Sequence, residues 1–304
     1  MNKTRFISMS ILPYIEHDPE VFKSKFFRLE EPETTRYYEF GKLLHGYLLK
    51  PDEYTIDFVG KPEGKTAKFV EVLVETGSEQ EAYLKSGLKQ KIETIRGYVE
   101  EPPYNKYKEW LERTKGSNLR AVTNDDFDLL TKCTNAITND LIAHHLLLEE
   151  GYNEQIKTYN EQKIEFKYKD VECKGIIDRL IVNHTTKHII LIDLKSTKNI
   201  NKEDLEEKFY EYNYDAQMCF YIKGIYENKE LFSIDSTYTI DCFIVWICKT
   251  GSNQVRTMHL KSNKPFTTGN NKIDCWMDLF KWHYENNDWR RPREFLVNEN
   301  MITL

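Results

Sequence analysis

No apolar run in this sequence approaches the ~20 residues a helix needs to cross a bilayer, and Met1 to Ser10 lack the apolar core of a secretory signal. The expectation is a cytoplasmic protein with no membrane partner. Cysteine chemistry is thin as well. The six cysteines, Cys133, Cys173, Cys219, Cys242, Cys248 and Cys275, are scattered, and no two form a CxxC pair. That argues against a zinc ribbon or a local cysteine-bound cluster and leaves reduced, mostly buried thiols. Internal repeats and low-complexity tracts are missing. So is an excess of positive charge: 43 lysines and arginines face 49 aspartates and glutamates, a net charge of −6. Gripping nucleic acid by bulk charge is thereby disfavoured. A local basic channel is not, and acids gathered at a metal site push the count in the same direction.

What is present fits an ordinary soluble globular protein: 304 residues, 40% hydrophobic and 30% charged, enough for one large domain or two small ones. Gly60 to Lys65 and Gly116 to Asn118 read as loops. Between them the pattern is helical and highly charged, as in Ile92 to Glu100 and Lys106 to Thr114. Asn124 or Asp125 is placed to cap a helix running through Leu129, Ile137 and Leu141 toward Leu148. Upstream, Phe40, Leu43, Leu44, Tyr47 and Leu48 share one face of an amphipathic helix that Pro51 ends. Downstream come three strands, about Lys163 to Tyr168, Glu172 to Val182 and His188 to Lys195, with a turn at Asn183 to Thr186. The continuous apolar run Ile189 to Ile192 fits a central strand covered on both faces. A mostly apolar helix at about Tyr214 to Tyr226 and a core strand at Ile240 to Cys248 follow. The order of helix, three strands, helix and strand predicts an α/β layer structure.

Chemistry concentrates at the end of the third strand, in Asp193-Leu194-Lys195. Strand alternation puts Asp193 and Lys195 on one face. A carboxylate and an ammonium there are costly unless they pair or bind a metal. A hairpin brings Asp178, in the middle of the preceding strand, close to Asp193 across the ladder. Two such carboxylates repel each other, and a hard divalent cation relieves the repulsion. A buried ion pair that only fixes register is the alternative. The upstream Asp178 in its Gly175 to Arg179 (GxxDR) setting weighs against it.

Cys173 to Thr197 (CKGIIDRLIVNHTTKHIILIDLKST) resembles the catalytic hairpin of PD-(D/E)xK nucleases, in particular the RecB-type branch and the RecE-like (exonuclease VIII) phage exodeoxyribonucleases. Further segments are similar to the same group. Phe40 to Leu49 (FGKLLHGYLL) resembles the helix bearing a metal-binding histidine, which implies His45. Gln217 to Tyr221 (QMCFY) matches its QxxxY motif. Asn160 to Phe166 (NEQKIEF) resembles the strand with the upstream glutamate, which implies Glu161, with Glu165 open as the alternative. Phe6 to Leu12 is similar to the serine-containing opening, with Ser8 and Ser10.

The resemblance implies a restriction-endonuclease-like core in a single domain spanning 1–304, with a helical insertion at about 66–150. It implies catalytic roles for Lys195, Asp193, Asp178, Glu161, Gln217 and Tyr221. Metal ligation by Asp178, Asp193, the Leu194 carbonyl, His45 and Glu161 follows, with Mg²⁺ as the cofactor and Mn²⁺ substituting. The implied activity is exonucleolytic hydrolysis of linear double-stranded DNA, 5′ to 3′, in phage-type recombination inside a bacterial host cell. A single-strand annealing protein is an implied partner, and a ring-shaped homo-oligomer is implied by the related enzymes and suits an acidic chain that must hold DNA. A single-strand or flap nuclease of the RecB branch, or a catalytically silent DNA-binding scaffold on the same fold, are the alternatives. The tail mixes Phe280, Lys281, Trp282 and His283 with Trp289, Arg290 and Arg291, suited either to nucleic-acid contact or to packing.

Overall fold

A computed structural model of the chain describes residues 5–29, 36–151, 154–251 and 254–290. Its elements, in chain order, are β1 (Ile7–Ser8), α1 (Tyr14–His17), α2 (Pro19–Phe27), α3 (Arg36–Leu49), β2 (Thr55–Val59), α4 (Lys65–Thr76), α5 (Glu79–Ser86), α6 (Ile92–Glu100), α7 (Tyr104–Thr114), β3 (Leu119–Val122), α8 (Asn124–Asn139), α9 (Leu141–Leu147), β4 (Ile156–Tyr168), β5 (Val171–Asn183), β6 (His188–Thr197), α10 (Lys202–Glu211), α11 (Tyr214–Glu227), α12 (Lys229–Phe232), β7 (Thr239–Cys248), β8 (Val255–His259) and α13 (Asn263–Asn286). The chain divides into two units, one of residues 1–39 with 136–304 and one of residues 40–135.

The first unit is an α/β layer structure on a mixed six-stranded sheet. β1, β5, β6, β7 and β8 lie side by side in that order, and β4 pairs with β5. β4, β5 and β6 form the expected antiparallel meander, and β6 and β7 run parallel. One edge of β5 is shared. Its Cys173 and Lys174 pair with β1, whereas Arg179 to Asn183 pair with β6. The sheet therefore forks between Gly175 and Asp178. Beyond Ile192, β6 leaves β5 and continues against β7 alone.

The main core fills one face of this sheet. Ile164, Phe166, Cys173, Ile177, Leu180, Ile189 and Leu191 pack with Phe220 and Ile225 of α11 and with Ile273 and Trp276 of α13. The close approach of α11 and α13 depends on Gly269, where a Cβ would stand 2.3 Å from the Asp215 carbonyl oxygen. Five of the six thiols are buried and all are free, as the scattered spacing implied. The aromatic tail serves packing. Phe280, His283 and Trp289 are buried, and the Trp289 ring stacks 6.0 Å from that of Phe22. Trp282 is exposed, and Arg291 lies outside the described residues.

The second unit has its own core of Phe69, Val70, Val72, Ala82, Ile95, Val99, Tyr107 and Trp110, built on α4 to α7. A two-stranded parallel sheet of β2 and β3 accompanies these helices. The helical pattern of the sequence did not announce it, because two short strands far apart in the chain carry little periodic signal. The single helix expected from Asn124 toward Leu148 is two. It breaks at Asp140, whose side chain accepts the N–H groups of Ile142 and Ala143 and so caps α9. The N-terminal cap of α8 is Thr123, whose hydroxyl accepts the Asp126 N–H at 3.0 Å, rather than Asn124 or Asp125.

Candidate metal and nuclease site

The expected acids meet at the fork. Arg179 pairs with Ile192, so the register carried one residue further sets Asp178 opposite Asp193. The pairs Asn160–Arg179 and Gln162–Ile177 bracket Glu161 and Asp178 in the same way. Three carboxylates thus stand in one row across β4, β5 and β6. The ligand oxygens of Glu161 and Asp178 lie within 4.8 Å of each other.

This row coincides with a break in the pleat. Side chains two apart share a face of a strand. Yet Ile177 and Leu180, an odd number apart, both belong to the core, and so do Ile164 and the partly buried Tyr159 on β4. Both strands switch faces at the same place. Glu161 absorbs the switch with φ of +45°, a left-handed conformation that is strained for a residue with a Cβ. The break also separates the two glutamates that an even spacing had left open. Glu165 is exposed and pairs opposite Lys174, while Glu161 stands beside Asp178.

Asp178 accepts the N–H of Leu194 through Oδ2 at 2.7 Å. The ladder to β5 has ended there, and a buried N–H requires another acceptor. Asp193 is 1% exposed, and its Oδ2 lies 2.6 Å from Lys195 Nζ, whose side chain is 19% exposed. Burial disfavours the charged lysine, but Asp193 first and Asp178 second outweigh it and raise its pKa. With both carboxylates charged, Lys195 is held as an ammonium placed to donate to a water or a phosphate oxygen.

The N-terminal half of α11 covers this cluster. Gln217 Nε2 donates to the Tyr221 hydroxyl at 2.9 Å. Burial, followed by the charges of Asp193 and Asp178, raises the Tyr221 pKa and keeps the phenol neutral. The Tyr221 ring lies so close to Gly175 that a Cβ there would meet it at 2.9 Å, which explains the glycine of the GxxDR stretch. Arg179 is turned elsewhere. Its guanidinium donates to Asn160 Oδ1 at 2.8 Å and to the Glu149 carbonyl, and burial lowers its pKa to about 10. Ser8 and Ser10 touch each other at 3.0 Å beside the β1–β5 pairing. His45 sits on α3, within the second unit.

One neighbour of Lys195 escaped the sequence reading. The Tyr214 ring lies 5.0 Å from Lys195 Nζ and packs edge-on against Trp246 at 5.5 Å. Burial raises its pKa to about 12. The aromatic run Tyr210, Tyr212, Tyr214 just before the QxxxY helix was the available signal.

Comparison with known proteins agrees with this geometry. A family model described as a PDDEXK-like domain of unknown function (DUF3799) matches residues 8–289. The chain belongs to the DUF3799 family. Among solved structures, a "Putative exonuclease" from Eubacterium rectale aligns with this DUF3799 protein over 99% of this chain and 90% of its own, at 12% identity and a TM-score of 0.52. At that identity the likeness speaks for the fold alone. The structure of SSO0001 aligns over 77% of this chain and 86% of its own at 12% identity, and its TM-score of 0.22 carries no argument. Among curated proteins nothing matches the sequence. The PD-(D/E)xK core expected from the hairpin is thus the fold of this protein. No described helix is long and apolar enough to cross a membrane.

Proposed function

We propose that this DUF3799 protein is a metal-dependent exodeoxyribonuclease that hydrolyses the phosphodiester bonds of linear duplex DNA, 5′ to 3′. The observation that carries the reading is the row of Glu161, Asp178 and Asp193 at the sheet fork, with the Lys195 ammonium beside it. Three carboxylates set side by side in one row repel one another, and a divalent cation would relieve that repulsion. Asp178, Asp193 and Glu161 would hold Mg²⁺, or Mn²⁺ in its place. The Leu194 carbonyl and His45 of the second unit are the further ligands of the proposal.

A bound cation would lower the pKa of a coordinated water and offset the negative charge that builds on the phosphate oxygens. The chain's own residues do the rest. Lys195 donates to the attacking water or to a non-bridging phosphate oxygen, where charge develops in the transition state. Tyr221, held neutral and bonded to Gln217, offers a polar edge that orients the substrate. The strain at Glu161 keeps its carboxylate in the row rather than in the strand's ordinary alternation.

A single nuclease domain spanning 1–304, with a helical insertion at about 66–150, belongs to the proposal. A ring-shaped homo-oligomer, a single-strand annealing partner, and a place in phage-type recombination in the cytoplasm of a bacterial host rest on the RecE-like resemblance of the motifs. The test is digestion of linear duplexes labelled at the 5′ or the 3′ end, with closed-circular controls. We expect progressive release from linear ends that requires Mg²⁺ or Mn²⁺ and stops in EDTA. Undiminished cleavage after the metal is stripped would overturn the proposal, and cleavage of closed circles would overturn its exonucleolytic part.

A further inference from the structure

At the carboxyl end of β6, a closed circuit of rings and a second lysine leads from Lys195 away from the acidic row. From Lys195 the circuit passes to the Tyr214 ring, 5.0 Å from the ammonium, and on to the Tyr212 ring, 5.9 Å further. Tyr212 ends α10, and its N–H bonds the Lys208 carbonyl at 2.9 Å. Lys208 and Tyr212 therefore project from the same side of the helix, one turn apart. Lys208 Nζ returns to the strand and donates to Thr197 Oγ1 at 3.1 Å. Thr197 lies two residues beyond Lys195, on the same face of β6.

Tyr212 is the anomaly in this circuit. It is 56% exposed, while the aromatic residues on either side of it, Tyr210 and Tyr214, are half-buried. Leu205 and Phe209 mark the buried seam of α10; at 100° per residue the exposed Glu203, Glu206 and Glu207 fall on the far side from Lys208 and Tyr212, whereas Asp204, which accepts from Asn199, and the exposed Glu211 lie nearer them. An exposed aromatic ring with a lysine one helical turn away is a combination by which proteins hold single-stranded nucleic acid, the ring taking a base and the cation a phosphate. A base inside a duplex stack has no free face to offer such a ring.

We propose that Tyr212 is a stacking platform for an unpaired nucleobase beside the scissile phosphate, and that Lys208 takes the adjacent backbone phosphate. The strand being cut is then single-stranded at the site, so a duplex substrate frays at its end before cleavage. This inference rests on the nuclease reading and adds the state of the substrate to it.

The test is fluorescence anisotropy of a labelled oligothymidylate, and of the same oligonucleotide with abasic positions, with Ca²⁺ in place of Mg²⁺. Tyr212→Ala should weaken binding of the normal oligonucleotide by about tenfold or more. Tyr212→Trp should bind like wild type, and the difference between wild type and Tyr212→Ala should vanish on the abasic strand. Lys208→Gln should reduce the slope of log K against log salt by about 0.7, one phosphate contact on a single strand, which a merely structural tie to Thr197 would not do. Equal binding by wild type and Tyr212→Ala, or a loss that persists on abasic DNA, overturns the platform. An unchanged salt slope in Lys208→Gln overturns the phosphate contact. Failure of the wild-type protein to bind any DNA would instead remove the nuclease reading beneath both.

Discussion

The two ends of β6 carry two carboxylate-centred clusters of opposite character. At the start of the strand, Asp241 of β7 bridges two histidines, accepting from His188 Nε2 at 3.0 Å and from His259 Nε2 at 3.1 Å, and its side chain is 43% exposed. Solvent screens such a bridge, and exposed pairs of this kind contribute little. At the end of the strand, Asp193 and Lys195 meet at 2.6 Å with the carboxylate almost wholly buried. Burial makes this second pair expensive, and well-packed apolar residues in its place would be as stable or more so. The difference teaches where to look for chemistry. The first cluster is explained by sheet-edge polarity, whereas the second is not explained by stability and sits where the pleat breaks and the sheet forks.

The comparison is broken most forcefully at Lys195. Lys195→Ala should reduce cleavage by about 10²–10³-fold, the usual effect of losing a donor that stabilises transition-state charge. Single-turnover rates on end-labelled duplex measure it, and a near-wild-type rate would remove the lysine from the chemistry. The same variant leaves Asp193 buried without its cation. In EDTA it should unfold about 3–5 kcal/mol more easily in urea, and added Mn²⁺ should restore much of the loss. Equal destabilisation with and without metal would mean that the pair is structural and that no ion takes the place of the ammonium.

The ligand set is sharpened by Asp178→Asn and His45→Ala. Calorimetric titration with Mn²⁺ should lose its binding heat in Asp178→Asn. His45→Ala should shift the rate-against-metal curve to roughly tenfold higher concentration, more visibly for Mn²⁺, which suits imidazole better than Mg²⁺ does. Superimposable curves would exclude His45 from the ligand set.

The smallest effect is expected at the exposed cluster. Asp241→Asn should cost less than about 1 kcal/mol, and 1 M salt should erase most of that. Burial pushes the Asp241 carboxyl upward, but His259 and then His188 pull it further down, to a pKa below the usual value. A carboxyl depressed in the folded state stabilises the protein above its unfolded pKa and loses that contribution as pH falls through the folded value. The difference between wild type and Asp241→Asn in urea unfolding should thus be present at neutral pH and disappear in strong acid. A difference that grew on acidification would show the assignment of charge to be wrong.

The legibility of this protein in its sequence follows the same division. The hairpin was readable because alternation and a continuous apolar run fix which residues enter the sheet, and Asp178, Asp193 and Lys195 kept the neighbours those patterns assigned to them. The helix from Tyr214 and the strand to Cys248 were readable for the same reason, their apolar periodicity being set by burial. Glu161 was only half readable. Its strand was expected to begin near Lys163, yet β4 starts at Ile156, and the choice against Glu165 depends on a left-handed backbone angle that no side-chain pattern encodes. Tyr214 was missed because its place beside Lys195 comes from the approach of a helix end to a strand end, a contact between residues that the periodicity of neither element records.

The sequence by itself determined the strands of the catalytic hairpin, the parallel strand beside it and which acids stand in the hairpin, since those follow from local periodicity and the cost of leaving apolar surface in water. Only the tertiary structure decided that β5 divides its edge between β1 and β6, that the pleat reverses at Glu161 and Asp178 together, and that α11 lays Tyr221 against Gly175 above them. Those outcomes depend on how separate elements share hydrogen bonds and space. The place where the ladder runs out is where a carboxylate had to take over for a missing carbonyl.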